Sequence, residues 1–406
     1  MQKIELLAPA GDIDKLETAI HFGADAVYCA GKNFGLRASS RNFTDSELEK
    51  AVLFVHQLNK KIYITLNIYA NNSDFEQLKE YILFLQNIHV DGVIVSDPGI
   101  IYFIKSITSK LAIHLSTQAN STNKYSAKFW YEQGVERVVL AREMSLNDIQ
   151  EVKSFVPELE LEAFVHGAMC MAYSGRCLLS NYLTGRNGNR GECVQACRWE
   201  WEIHEKTHKD KILTLTEDER GTYIMNSRDL NMIQHLDKLR DAGVNSFKIE
   251  GRMKTQYYVA CVVNAYRMAL DYLEKNNTLE NMPKMISDEL VKISHRDYTT
   301  GFFFGNDNTI NIDTSQTKCD YDFMAKVIGY DSDKEMLIVE QRNRFKKYDK
   351  LEIVSKDSKY LNKEIEVNEM FDKDGTIVDD AKLVQQILYI PSKYKLCKND
   401  ILRKKV

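Results

Sequence analysis

Through the larger amino-terminal part of the chain, short apolar runs alternate with segments whose apolar positions recur every three to four residues: 4–7 then 14–22, 26–30 then 46–58, 62–66 then 75–88. Short apolar runs bounded by turn residues read as buried strands, and the 3.6-residue period reads as amphipathic helix. Further runs at 93–95, 113–116, 138–141, 161–165 and 247–249 bring the strand candidates to eight, most of them followed by a helical segment. A crossover helix returns the chain to the same end of a sheet, so such strands are parallel. Eight of these units close most simply into a TIM-like (βα)8 barrel of the α/β class.

Two segments break the alternation. Residues 168–245, between the seventh and eighth strands, are too long for an ordinary barrel loop and predict a functional insertion. After a long helix at 257–273 and an Asn/Asp/Thr-rich linker at 306–322, the period changes to two. Strand candidates at 324–328, 336–341, 351–354, 365–367, 377–378 and 387–390, with a hairpin turn at Asp374-Gly375, predict a small antiparallel β-barrel over 323–406. The expected organisation is therefore a barrel domain at 1–305, carrying the cysteine-bearing insertion, followed by the linker and the small β-domain.

The chain has 406 residues, 44% of them hydrophobic and 28% charged, with only 19 Gly and 5 Pro. That balance excludes disordered, collagen-like and disulfide-stapled classes. Fifty-four Lys and Arg against 58 Asp and Glu leave a net charge of −4, so a nucleic-acid partner would need a local basic patch. Arg342, Arg344, Lys346, Lys347 and Lys350, with Phe345 and Tyr348 interleaved, form one candidate; a solvated hairpin is the alternative. No apolar run approaches the roughly 18 residues of a membrane helix, so a cytoplasmic protein with no membrane partner is expected.

In such a barrel the chemistry lies at the carboxyl ends of the strands, where the strand-to-helix loops gather. Those ends are polar here, with Asn67, Asp97, Gln118, Arg142, His166, Glu250 and Arg252 among them. Any one alone reads more readily as a helix cap or loop residue; the agreement of all eight ends favours a site. His166 is a candidate general acid or base, because an imidazole ordinarily titrates near 6.5, with a packed structural histidine as the alternative. Asp97 and Glu250 are candidates of the same kind. Arg37, Arg142, Lys248, Arg252 and Lys254 are candidates for holding carboxylate or phosphate groups, or else pair with Glu143 or Glu250. Asn67 and Gln118 complete the candidate substrate-binding set.

Four of the eight cysteines fall within Cys170-x6-Cys177-x15-Cys193-x3-Cys197, where a random scatter would put roughly half of one. Four thiolates suit either tetrahedral zinc or a 4Fe-4S cluster. Structural zinc usually takes ligands two to four residues apart in two knuckles, and only Cys193 and Cys197 meet that spacing. The wider gaps suit an iron–sulfur cluster better, and Arg176, Arg186, Arg190 and Arg198 would offset its negative charge. Zinc and a metal-free segment stay open as alternatives. Cys29, Cys261, Cys319 and Cys397 read as packed residues, Cys29 doubling as a substitute ligand near a strand end. His204-Glu205-Lys206-Thr207-His208 matches a zinc-protease pattern that needs a helix. The alternation around it predicts a hairpin instead, which would hold the two imidazoles roughly 13 Å apart.

Glu5-Leu6-Leu7-Ala8-Pro9-Ala10-Gly11-Asp12, Gly23-Ala24-Asp25-Ala26-Val27-Tyr28, Phe34-Gly35-Leu36-Arg37-Ala38, Glu162-Ala163-Phe164-Val165-His166-Gly167-Ala168-Met169-Cys170 with Ser174-Gly175-Arg176-Cys177, and Lys248-Ile249-Glu250-Gly251-Arg252-Met253-Lys254 together resemble the collagenase-like peptidase family U32. The resemblance covers nearly the whole chain, and residues 162–180 are similar to the family signature. The family name implies peptide-bond hydrolysis, for which this sequence offers no evident nucleophile or catalytic metal. Resemblance to the family's hydroxylating members implies instead an iron–sulfur enzyme that works without molecular oxygen. The branch it most resembles implies formation of 5-hydroxyuridine at the tRNA wobble position, with prephenate as a co-substrate and an electron donor or partner subunit. On that resemblance Cys170, Cys177, Cys193 and Cys197 are the expected cluster ligands. The target uridine would leave its stack in a single-stranded anticodon loop.

Overall fold

Eight strands form a closed parallel barrel in the computed structural model, which describes residues 3–36, 41–170, 173, 175–199, 217–218, 221–222, 227–305 and 317–406. The strands are β1 (Glu5–Pro9), β2 (Ala26–Cys29), β3 (Lys61–Leu66), β4 (Gly92–Val95), β5 (Ile113–Leu115), β6 (Arg137–Val139) and β7 (Glu160–Ala168), then, beyond β8 (Asp229–Asn231), the closing strand β9 (Ser246–Ile249). β9 pairs in parallel with both β1 and β7, which shuts the ring. β8 lies antiparallel on the far end of β7, and β10 (Tyr298–Thr299) extends it.

The crossovers carry α1 (Ile13–His21), α2 (Asp45–Gln57), α3 (Phe75–Asn87), α4 (Pro98–Ile107), α5 (Lys124–Glu132) and α6 (Leu146–Phe155). Their starts are fixed by side chains that accept from first-turn amides: Asp12, Thr44, Asp97, Asn123 and Ser145, with reciprocal boxes at Thr44/Glu47 and Ser145/Asp148. Asp12 and Asp97 lie three and two residues beyond the ends of β1 and β4, so these two caps pin short strand-to-helix loops at one mouth. The insertion contributes α7 (Leu179–Thr184). Its last part is barrel rather than appendage: β8 pairs with β7, and α8 (Leu236–Asp241) buries Leu236 and Leu239 in the main core.

The long helix α9 (Gln256–Asn276) buries fourteen of its 21 residues. A helix apolar on most of its circumference needs neighbours on both sides. The barrel supplies one and the carboxy-terminal domain the other: the Asn264 amide donates to the Ser355 carbonyl, and Arg403 reaches the Cys261 sulfur. α10 (Lys284–Asp288) follows α9.

The carboxy-terminal domain is a six-stranded antiparallel sheet built from β11 (Tyr321–Asp331), β12 (Met336–Gln341), β14 (Lys350–Val354), β15 (Glu364–Glu366), β17 (Ile387–Pro391) and β18 (Ile401–Lys405), with β13 (Phe345–Lys346) and β16 (Asp380–Ala381) as a separate ribbon. Its order, β15-β14-β18-β11-β12-β17, makes a half-barrel whose outer strands do not pair. β11 begins at Tyr321, inside the expected linker, and residues 377–378 form only a bridge to Phe371 rather than a strand. β18, not expected from the sequence, is central to the sheet. The turn at Asp374-Gly375 is present, with Gly375 at a φ of +82°. No helix among the described residues is long and apolar enough to cross a membrane.

Candidate functional site

The barrel interior is apolar only in part. Leu7, Ala26, Tyr28, Tyr63 and Ile94 pack together, and beside them lies an ion-pair network. Arg137 bonds Glu5, Glu160 and Glu162, and the other oxygen of Glu162 accepts from Lys248 at 2.7 Å. Glu162, fully buried, is tolerable only because two cations face it. These charges interrupt apolar runs in β1, β7 and β9. Such interruptions are the sequence signal for an internal network, but the pairing joins residues far apart in the chain. His114 stands over the Tyr63 ring; burial, then the charges of Arg137 and Lys248, depresses its pKa well below the usual imidazole range.

Above this floor a cavity opens at the carboxyl ends of the strands. Tyr28, Thr65, Asn67, Ser116, Gln118, Arg142, Phe164, Lys248, Glu250 and Arg252 line its barrel side, and Cys170, Tyr173, Cys177, Ser180, Asn189 and Cys193 line its insertion side. The Arg142 guanidinium stands over the Phe164 ring at 4.0 Å and 3.7 Å from Glu250. Arg252, buried, donates to the Thr65 hydroxyl at 2.9 Å. The Lys248 ammonium sits 4.4 Å above the Tyr28 ring. Between Lys248 and Ile249 the register of β9 against β7 shifts, a bulge that re-aims the residues beyond it at the mouth of the barrel.

The insertion is clamped over this mouth. The Arg190 guanidinium donates to the Tyr69 carbonyl and pairs with Asp74, while the Tyr69 hydroxyl donates to the Gln118 carbonyl. At Gly175, with φ +75°, a Cβ would fall 2.1 Å from the Gln118 carbonyl oxygen, so only glycine lets the two backbones meet.

The expected residues therefore separate. Asn67, Gln118, Arg142, Lys248, Glu250, Arg252, Cys170, Cys177 and Cys193 share the cavity. Cys197 is half-buried in a 3-10 turn at Ala196–Arg198 that packs on α7, outside the cavity wall. Arg37 lies outside the described residues, as do His204, Glu205 and His208. Asp97 is a helix cap: its carboxylate accepts from the amides of Ala70, Gly99 and Ile100. Lys254 stands over the Tyr258 ring, away from the cavity. Cys29 is buried against the helix layer, its thiol pushed up to about 12 by burial, which leaves it inert; Cys319 and Cys397 are exposed rather than packed. Residues the sequence reading passed over include Tyr28, Thr65, Ser116, Phe164 and Asn189, whose types carry no signal until the fold gathers them.

His166 is not at the mouth. Its ring is buried among Tyr258, Tyr266 and Tyr298, 3.4 Å from the Tyr266 hydroxyl. Burial, then the charges of Lys254 and His295, lowers its pKa to about 3, so near neutral pH it is a neutral packing residue. A histidine depressed on folding stabilises the native state above its unfolded pKa near 6.5 and loses that contribution as pH falls toward 3. His166→Gln is thus expected to flatten the stability loss of the wild type between pH 6.5 and 5, by up to about 1.4 kcal/mol per pH unit. Urea titrations at several pH values check this, and parallel pH profiles for both proteins would contradict it.

The carboxy-terminal basic segment is also changed by context. Phe345 is in the domain core, Arg344 makes a two-pronged bond to Asp380, Arg342 pairs with Glu340, and Lys404 takes Asp349. Ion pairing within the domain answers much of that charge.

Among the described residues no three His, Cys, Asp or Glu side chains come close enough to share one metal ion. A tetrahedral zinc needs its sulfurs at about 2.3 Å from a single centre, and the cysteines do not present that geometry. A cubane cluster asks less convergence, because each thiolate binds a different iron. Three free thiols on one cavity wall, with Cys193 sulfur accepting from the Gln195 amide at 3.4 Å, are a donor set of the right chemistry for one.

A parallel eight-stranded barrel with a polar, cationic mouth under a cysteine-bearing cap has the layout of a barrel enzyme. The family model described as "Peptidase family U32" matches residues 11–313, and that of the "Peptidase family U32 C-terminal domain" matches 319–403. The chain belongs to peptidase family U32. It is 39% identical to tRNA hydroxylation protein P1 of Bacillus subtilis, over 99% of this chain and 95% of that one. It is 36% identical to tRNA hydroxylation protein P of Escherichia coli, over 87% of each chain. A 23S rRNA 5-hydroxycytidine synthase of Escherichia coli is 36% identical over 66% of this chain and 39% of its own length.

Proposed function

We propose that the protein is a tRNA-modifying hydroxylase that converts the wobble uridine of an anticodon loop to 5-hydroxyuridine, without molecular oxygen, using a 4Fe-4S cluster and prephenate as co-substrate. The observation that carries the reading is the single cavity in which Cys170, Cys177 and Cys193 face Arg142, Lys248 and Arg252. Its kinship with two tRNA hydroxylation proteins and an rRNA 5-hydroxycytidine synthase supports hydroxylation of a pyrimidine in RNA.

The chain's own residues supply binding and charge. Arg142 and Arg252 present guanidinium forks suited to carboxylate or phosphate oxygens, and Phe164 gives an apolar face beside them. Lys248 is held in place by Glu162, so its ammonium is fixed before substrate arrives. Glu250, paired with Arg142, is the one carboxylate on the wall among the described residues and the candidate for proton transfer near the reacting base. The cysteine thiolates would hold the cluster, which would supply electron transfer when bound; replacing C5–H by C5–OH withdraws two electrons from the base, so the co-substrate or a partner subunit must take them up. The cytoplasm, where tRNA is used, is the expected compartment.

Hydrolysis of peptides is less well supported: no histidine lines the cavity among the described residues, and Ser116, Thr117 and Ser180 are engaged with backbone groups. Nucleoside analysis of tRNA tests the proposal. A strain lacking the gene is expected to lose 5-hydroxyuridine, to regain it with the wild-type copy and not with Cys170→Ala. Unchanged 5-hydroxyuridine after deletion would refute it.

A further inference from the structure

The insertion turns its apolar side outward. α7 buries Ser180, whose hydroxyl donates to the Arg186 carbonyl, yet leaves Tyr182 87% exposed; Leu178, one turn earlier, is 70% exposed. A helix satisfied by its own domain does the reverse, apolar in and polar out. Ser180 and its neighbour Cys177 belong to the cavity wall, so α7 is the partition between the cavity and this apolar outer face.

The charge around that face is unlike the rest of the chain. Residues 173–199 hold Arg176, Arg186, Arg190 and Arg198 against the single acid Glu192, a surplus of three positive charges within a chain of net −4. Arg190 is spent on Asp74 and Tyr69, but Arg176 and Arg186, which precede and follow Tyr182 in the chain, are exposed. An exposed aromatic ring on a segment rich in exposed arginines suits a polyanion that also offers flat π faces, which is single-stranded nucleic acid.

We propose that the outer face of α7 is a stacking platform for the RNA loop: a base next to the modified one stacks on Tyr182, while Arg176 and Arg186 hold the flanking phosphates. This rests on the reading of the substrate as tRNA and adds how the loop is gripped beside the cavity. The strip from Leu178 to Tyr182 spans one helical turn, about 5.4 Å, enough for a single ring.

The test is anisotropy titration of a labelled anticodon stem–loop RNA with the anaerobically isolated full-length protein at several salt concentrations. Tyr182→Ala is expected to weaken binding about tenfold and Tyr182→Phe by less than about twofold, since the ring and not the hydroxyl does the stacking. Arg186→Gln should weaken binding and reduce the salt slope by about one. Tyr102→Ala, an exposed tyrosine of α4, should leave affinity unchanged. Thermal melts matching the wild type would confirm that the variants fold. Wild-type affinity in Tyr182→Ala overturns the platform while leaving the tRNA reading intact. If activity falls while RNA affinity does not, a protein partner occupies this face and the platform is equally refuted. A wild-type protein that binds the stem–loop no better than a paired RNA of equal length removes both.

Discussion

Arg403→Met is expected to destabilise the protein by ~3–5 kcal/mol, the largest loss of any single polar substitution considered. Arg403 is fully buried between the two domains, with Glu289 of the barrel domain at 2.8 Å, Glu352 of the half-barrel also at 2.8 Å, and Asn362 at 2.7 Å. Lys292 bonds the same three partners. Burial alone would raise the Glu289 carboxyl, but Arg403 and Lys292 overcome it and hold the group below its ordinary value. Removing Arg403 leaves a buried carboxylate with Lys292 alone, which is costlier than never having had the pair. Two consequences separate this account from mere loss of packing. Glu289→Leu combined with Arg403→Met should recover part of the loss, a coupling that a double-mutant cycle in urea measures. The acid limb should change as well: a pKa lowered on folding gives stability that is present above the ordinary carboxylate range and lost as pH falls, so the variant should lose less on acidification than the wild type. A loss under about 1 kcal/mol would show the network to be energetically idle.

The same residue marks where the sequence stops being readable. The barrel strands stand out because β2 and β4 are buried on both faces and read as unbroken apolar runs, and β3 is buried beyond its first residue. Where a lumen charge enters a strand, the expected boundary slips: the run at 138–141 omits Arg137, which β6 includes. β18 reads as Ile401-Leu402-Arg403-Lys404-Lys405, and three consecutive cations look like a solvated tail. It is a central strand because Arg403 finds its counter-charge 114 residues away in another domain, and no local pattern encodes that. The site divides along the same line. Arg142, Lys248, Glu250 and Arg252 were legible because barrel geometry sends strand ends to one mouth whatever the loop sequence. His166 and Asp97 occupy equivalent strand ends, but a buried tyrosine cluster takes the one and three backbone amides take the other. Strand position alone cannot tell a side chain facing the cavity from one facing the helix layer or capping a helix.

Cys177→Ala and Cys193→Ala are each expected to strip anaerobically isolated protein of most of its iron and sulfide, and to cut 5-hydroxyuridine formation by at least about 100-fold. Both thiols lie on the cavity wall opposite the cationic strand ends. Cys319→Ser and Cys397→Ser, exposed and remote from the cavity, should retain iron and activity and so control for general cysteine loss. Cys197→Ala is the informative member of the series, because that thiol stands outside the wall that the other three share. If it too abolishes iron binding, the Ala196–Arg198 turn must move toward the cavity as the cluster is held, and the insertion closes on its cofactor rather than waiting preformed. If iron survives without it, Cys170, Cys177 and Cys193 would suffice to hold the cluster, and Cys197 has only a structural part in the insertion. Equimolar zinc in place of iron in the wild type, or full activity in the Cys177→Ala protein, would remove the cluster from the reaction altogether. Peptide cleavage persisting in a variant lacking all four cysteines would then make hydrolysis the better account of the cavity.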